Sequence, residues 1–307
     1  MTQVGKIPAM VNSIKQHPLI SYYALACLIT WTLQGAAIFL GQRINMVFSN
    51  ELISGYWVGI SRNELTTQQL FFMGLFLLGA GPLLSAIIVT TMVGGRDWLN
   101  AWWGRVVKWR VGLKWYLAAL GLPILASVVA ILAGMLLMGI RLTEYKPLLP
   151  FTLLPVHWLS VTIFTGLWEE PGWRGFCLPR LQANHSAWNA TWILGGLIAL
   201  WYLPLMLYLW RDQPLEVVLV LMAWFTLGII GQAITLTWLY NSTRSTFIAI
   251  LFHGMGNTAY TYLYGTFQNV TIIYALVFWI IAIILFWKYG PEDMAPQPKF
   301  IVIDPPC

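Results

Sequence analysis

Two adjacent carboxylates, Glu169 and Glu170, end an apolar run in the stretch W-E-E-P-G-W-R-G-F. An ionisable group in an apolar segment is costly to desolvate and is kept for a function or a partner. Neighbours on a helix point about 100° apart, so the two acids cannot share one role. Glu170 and Arg174 are four residues apart, the spacing of an i,i+4 ion pair. Glu169 is then the carboxylate left free to face a cavity. Pro171 suits the first turn of a helix better than its middle, so a break or restart is expected at the pair. A helix-terminal acidic cluster sitting in headgroup water is the alternative these residues leave open.

A second cluster lies downstream in F-H-G-M-G-N. His253 and Asn257 are four apart and share a helix face, while Gly254 and Gly256 let another backbone come close. Such a pair can polarise a carbonyl or hold a water. It can equally serve as hydrogen-bonded glue between helices. A third feature, L-W-Y-L-P-L, places Trp201, Tyr202 and Pro204 together and by itself reads as a kinked aromatic patch.

The elements that must carry these residues are apolar helices. Of 307 residues, 59% are hydrophobic and 9% charged, against roughly 25% charged in soluble domains. The 18 Trp and 13 Tyr suit membrane–water boundaries. Runs of about 20 apolar residues predict spans near 20–40, 69–93, 115–138, 152–170, 188–210, 215–240, 246–264 and 270–287. The expected fold is therefore all-α, a polytopic transmembrane helical bundle of about eight spans. Its first run, Ile20 to Leu40, exceeds the h-region of a signal peptide, so an uncleaved helix is expected.

The charge is +6, with Lys and Arg spread over loops rather than gathered on a face, which argues against nucleic acid. Only Arg43, Arg62, Arg141, Lys146 and Arg211 fall in segments opposite the N-terminus, so both termini are expected in the cytoplasm. From Arg96 to Lys114, basic residues alternate with Trp98, Trp102, Trp103 and Trp109. This stretch reads either as an interfacial helix with Trp in the headgroup zone and basic heads toward lipid phosphate, or as a topology-setting loop. Cys27, Cys177 and Cys307 lie too far apart for a disulfide framework or a metal knuckle.

Taken together, the segments resemble the CPBP family of intramembrane proteases, which includes type II CAAX prenyl endopeptidases and bacteriocin-processing or immunity proteins. The first family motif, a Glu pair followed by Arg, corresponds to E-E-P-G-W-R-G-F from Glu169. The third, a His followed four residues later by Asn, corresponds to His253 and Asn257, approached through T-W-L-Y-N-S-T-R-S-T-F. The second motif, aromatic-rich with a His, aligns with I-A-L-W-Y-L-P-L. The resemblance covers about residues 150–260 and divides the chain into four regions: 1–149 with three spans and the basic, Trp-rich segment; the core at 150–265; a last span at 266–290; and a Pro-rich, flexible tail at 291–307.

The resemblance implies an endopeptidase in which Glu169 activates water near the cytoplasmic face. His253 and Asn257 would stabilise the oxyanion, Tyr202 would donate a further hydrogen bond, and Glu170 with Arg174 would form a structural ion pair. It implies a membrane-associated or prenylated peptide substrate and, as possible cofactor, a divalent metal such as zinc. Tyr202, however, replaces the His of the second motif. With a reference pKa near 10 it is a poor base and a poor neutral ligand at pH 7. A metal would be left with Glu169, His253 and the Asn257 amide, short of three good ligands. The alternatives are a catalytically impaired member acting by binding, as in bacteriocin immunity or scaffolding, and a transporter using Glu169 and His253 as a proton relay. The transporter predicts inverted repeats that the halves do not show. A multi-pass protein of the plasma membrane is the expected setting.

Overall fold

The computed structural model describes residues 6–48, 56, 59–60, 62–147, 149–264 and 270–304. Among them every regular element is a helix. They run in order as α1 (Lys6–Gln16), α2 (Pro18–Gln42), α3 (Thr67–Leu77), α4 (Ala80–Val106) and α5 (Leu113–Met138). A continuous but irregular helix, α6 (Phe151–Leu181), follows, then α7 (Ala187–Leu209), α8 (Leu215–Thr243), α9 (Thr246–Tyr264) and α10 (Val270–Asp293).

Six of these, α2, α5, α6, α7, α8 and α10, are long and apolar enough to cross a membrane. A seventh span results if α3 and α4, bent by 56° at their junction, count as one. The protein is an integral multi-pass membrane protein. The count falls below eight because α9, although 19 residues long, carries His253, Asn257 and several Thr and Tyr in its sequence. Its polarity marks it as a helix surrounded by protein rather than lipid. Outward faces elsewhere are apolar, with Leu136 and Trp287 each 85% exposed, an arrangement stable against acyl chains but not water.

Local sequence sets the helix ends. The Thr66 hydroxyl accepts from Gln69 N while the Gln69 side chain accepts from Thr66 N, a capping box that starts α3. The Ser186 hydroxyl caps α7 through Asn189 N. Gly139, left-handed at φ 68°, closes α5. Gly95, at φ 67°, bends α4 so that its last turns leave the direction of the span. The interfacial helix expected from Arg96 therefore runs only to Val106, and residues 107–112 are an irregular connection. Trp102 also departs from the headgroup placement: it is buried, and its indole N–H donates to the Pro171 carbonyl at 3.2 Å.

Helices pack through small residues, as expected where apolar lipid supplies no drive for helix association. A Cβ on Gly81 would lie 2.1 Å from the Ala26 carbonyl, which fixes α4 tightly on α2. The Thr191 and Thr237 hydroxyls meet at 2.7 Å between α7 and α8. Cys27 and Cys177 are both buried free thiols, and Cys307 lies outside the described residues.

The tail is not loose over its described part. Val302 N donates to the Pro179 carbonyl (3.1 Å), Gln182 donates to the Phe300 carbonyl (2.9 Å) and Gln297 to the Asn241 carbonyl (2.8 Å). Arg180 reaches Asp304 with a closest contact of 2.7 Å. The expected flexible tail is instead a strap across the ends of α6 and α8, because buried Arg180 and Gln182 need partners there.

Candidate functional site

Helix α6 does not break at the Glu pair. The α-helical turn Trp168–Gly172 is flanked by π-helical stretches, Thr162–Leu167 before it and Trp173–Cys177 after it. Pro171 has no N–H to give the preceding turn, and widened turns absorb the misfit without ending the helix. The expected break is thus replaced by two π-bulges, a feature that accumulates at functional sites because it re-aims side chains.

The acids diverge as helix geometry requires. Glu170, with no exposed surface, receives the Arg174 guanidinium at 3.1 Å on Oε1. The same oxygen lies 2.7 Å from His253 Nδ1 on α9. Glu170 Oε2 is buried with no hydrogen-bond partner among the described residues. Glu169 points elsewhere: its Oε1 accepts the Tyr202 hydroxyl at 3.0 Å, and it is 3% exposed.

Two close backbone approaches hold α9 against α6. A Cβ on Gly254 would fall 2.0 Å from Thr162 Oγ1, and one on Gly166 would fall 2.6 Å from the Ile250 carbonyl. Neither helix could carry a larger residue there and still bring His253 to Glu170. Asn257 follows one turn on, and its amide donates to Thr165 Oγ1 at 2.9 Å. One amide hydrogen of Asn257 is thereby used and one is left.

Aromatic rings wall the carboxylates. Trp201 packs edge-on against Trp173 (5.6 Å between centroids) and Tyr202 (4.6 Å), while Tyr22 of α2 stacks on Phe176 (4.7 Å). Gly79, between α3 and α4, faces Glu169 so closely that a Cβ would be 3.3 Å from its Oε1. The sequence reading did not include Gly79, Tyr22, Thr162 or Thr165. The one available signal for Gly79 was the small-residue run G-A-G interrupting an apolar stretch.

Glu169, Glu170, Arg174, Tyr202, His253 and Asn257 therefore converge from three helices, α6, α7 and α9. His157 does not join them; it is buried on the first turns of α6 beside the Tyr262 ring. Nor do the donors fit a metal. No group of three or more His, Cys, Asp or Glu able to hold an ion occurs among the described residues. Glu170 Oε1 is shared by Arg174 and His253, and Glu169 Oε1 by Tyr202.

This cluster lies inside the segment that matches known proteins. Residues 150–259 match the family model described as type II CAAX prenyl endopeptidase, Rce1-like. That segment is similar to the CPBP group of proteins. A curated relative from Methanococcus maripaludis, CAAX prenyl protease 2, is 29% identical over 136 residues, which are 42% of this chain and 49% of that protein. The chain thus spans about half the length of the curated relative it matches. The matched segment runs from the start of α6 to within the last turns of α9, so all six convergent residues fall within it.

Proposed function

We propose that the protein is an intramembrane endopeptidase of the CAAX-protease type, cleaving membrane-associated or prenylated peptides with Glu169 as general base. The observation that carries this reading is the division of labour between the two acids. Glu170 is engaged by a cation and an imidazole, whereas the hydrogen bond to Glu169 among the described residues comes from a hydroxyl.

Glu169 takes a proton from water, and the resulting hydroxide adds to the scissile carbonyl carbon. The protonated Glu169 then gives that proton to the leaving amine as the C–N bond breaks. His253 is fixed in orientation by the Glu170 carboxylate. With Nδ1–H donating to Glu170, Nε2 accepts in the neutral ring and donates in the imidazolium. As imidazolium it meets the developing oxyanion, joined by the free amide hydrogen of Asn257. Glu170 is the shared counter-charge of Arg174 and the His253 imidazolium. The cytoplasmic face of the plasma membrane is the setting proposed.

One contact favours a second reading. The Tyr202 hydroxyl occupies the base itself, at 3.0 Å from Glu169 Oε1, as it would in a family member that has lost hydrolysis and acts by binding. Proteolysis by the purified protein in lipid vesicles separates the two, using membrane-anchored and prenylated peptides. Cleavage that Glu169→Gln abolishes supports the endopeptidase. Silence from the wild type, with cleavage restored by Tyr202→His, supports the binding protein.

A further inference from the structure

A cavity of about 380 Å³ opens on the side of the bundle where α5 begins and α8 ends. Its wall includes Lys108, Arg110 and Arg244, and no acidic side chain. None of these three has a carboxylate partner among the described residues. Three cations around one concavity repel one another, and an anion in their midst relieves that.

Other groups around the cavity point the same way. Gly112 lines it and precedes the first turn of α5, a helix start without a side-chain cap, so free backbone N–H groups and the positive helix end face this region. The Ser242 hydroxyl, also on the wall, is buried without a hydrogen-bond partner among the described residues. The carbonyls that would repel an anion at the end of α8 are already occupied. Lys108 donates to the Thr243 carbonyl at 2.8 Å, and Gln297 donates to those of Asn241 and Ser242. Arg110 and Arg244 remain, both exposed and each set over an aromatic ring, Trp109 and Phe300 respectively.

Position identifies the class of anion. Two membrane-spanning helices terminate at the cavity, α5 at Leu113 and α8 at Thr243, so it lies at the depth where a spanning helix leaves the hydrocarbon. Trp115 on its rim suits that boundary. Phosphate is the anion concentrated there, and paired arginines suit its geometry.

We propose that this cavity is a binding site for a phosphate-bearing anion, supplied in the membrane by the headgroup of an anionic phospholipid. The proposal is independent of the proteolytic reading, since none of these residues takes part in the Glu169 cluster.

The test is the thermal unfolding midpoint of the full chain in phosphatidylcholine bicelles, with phosphatidylglycerol or inorganic phosphate added. Phosphatidylglycerol should raise the midpoint by several degrees, as a ligand of the folded state does. The double variant Arg110→Gln/Arg244→Gln should need at least tenfold more of it for the same rise. Arg110→Lys/Arg244→Lys and the control Arg211→Gln/Lys288→Gln, at residues that do not line the cavity, should keep most of the effect. An equal rise with inorganic phosphate in phosphatidylcholine supports the anion site and reassigns its source to free phosphate. No rise with either anion, or a rise the Gln double variant retains in full, overturns the proposal. If the Gln variant does not fold, native mass spectrometry of the wild type decides: preferential retention of phosphatidylglycerol over phosphatidylcholine supports the site, and equal retention overturns it.

Discussion

His253 Nδ1 lies 2.7 Å from Glu170 Oε1, so the imidazole is bonded to the acid that also holds Arg174. Glu169, one residue earlier, instead receives the Tyr202 hydroxyl. The two carboxylates are thereby distinguished by partner as well as by direction.

This division makes Glu169→Gln and Glu170→Gln unlike each other. Glu169→Gln keeps an acceptor for Tyr202 and removes the base, so peptide cleavage should fall by about 10²–10⁴-fold with little change in unfolding midpoint. Glu170→Gln leaves Arg174, 3% exposed, as a buried cation without its counter-charge. It should lower the stability of the fold by about 3–5 kcal/mol, and, because Glu170 orients His253, cleavage per folded molecule should fall as well. Parallel cleavage and detergent-solution unfolding measurements on both variants check this.

Arg174→Met tests the same pair from the other side. Among the described residues Glu170 would keep His253 alone as a partner while remaining fully buried. A destabilisation again of about 3–5 kcal/mol is expected. The double variant Glu170→Gln/Arg174→Met should recover part of that loss, because it removes both charges together. A double-mutant cycle on unfolding free energies measures the recovery.

Tyr202→Phe removes one donor to a buried carboxylate and should cost about 1.5–3 kcal/mol of stability. Tyr202→His supplies a group that can share the base role near neutral pH, and cleavage should be faster than in the wild type. The ratio of initial rates for the His variant and wild type on one vesicle-bound peptide decides the point.

The close approach of α9 to α6 predicts a contrast between two glycines on one helix. Gly254→Ala would place a Cβ 2.0 Å from Thr162 Oγ1 and 2.7 Å from Thr162 Cα, so the backbone must move. A cost of about 3 kcal/mol or more is expected from such overpacking. Gly256→Ala meets Gln232 Oε1 at 3.4 Å and the Tyr274 hydroxyl at 3.8 Å, both side-chain ends at ordinary contact distance, and should change stability by less than about 1 kcal/mol. Yield of folded protein and unfolding midpoint, compared between the two variants, show whether this packing holds His253 in place.

The strap formed by the end of the chain gives a further test. Asp304→Ala strips Arg180, a 95%-buried side chain by its 5% exposure, of its carboxylate, and a loss of about 2–3 kcal/mol is expected. Proteolytic sensitivity of residues 294–304 should increase with it.

The sequence by itself determined the class of protein and most of the helical spans, and it singled out the six residues that the fold brings together. Apolar composition admits few other solutions in a bilayer, where backbone groups must be satisfied within helices. Spacing of four residues put Glu170 beside Arg174, and His253 on one face with Asn257, before any tertiary contact was needed. The first family motif likewise located the pair that the core match encloses.

Other features depended on what came across from distant parts of the chain. That His253 bonds Glu170 while Tyr202 bonds Glu169 is a matter of how α7 and α9 rotate against α6, and local periodicity carries no information on that rotation. The role of Gly79, facing Glu169 from the α3–α4 junction, is equally nonlocal. Pro171 predicted a break, but packing on both sides kept the helix continuous as π turns. The tail read as loose because its own residues are polar and Pro-rich. Its order comes from Arg180, Gln182 and Asn241, buried donors and carbonyls far away in sequence that only the folded bundle brings within reach.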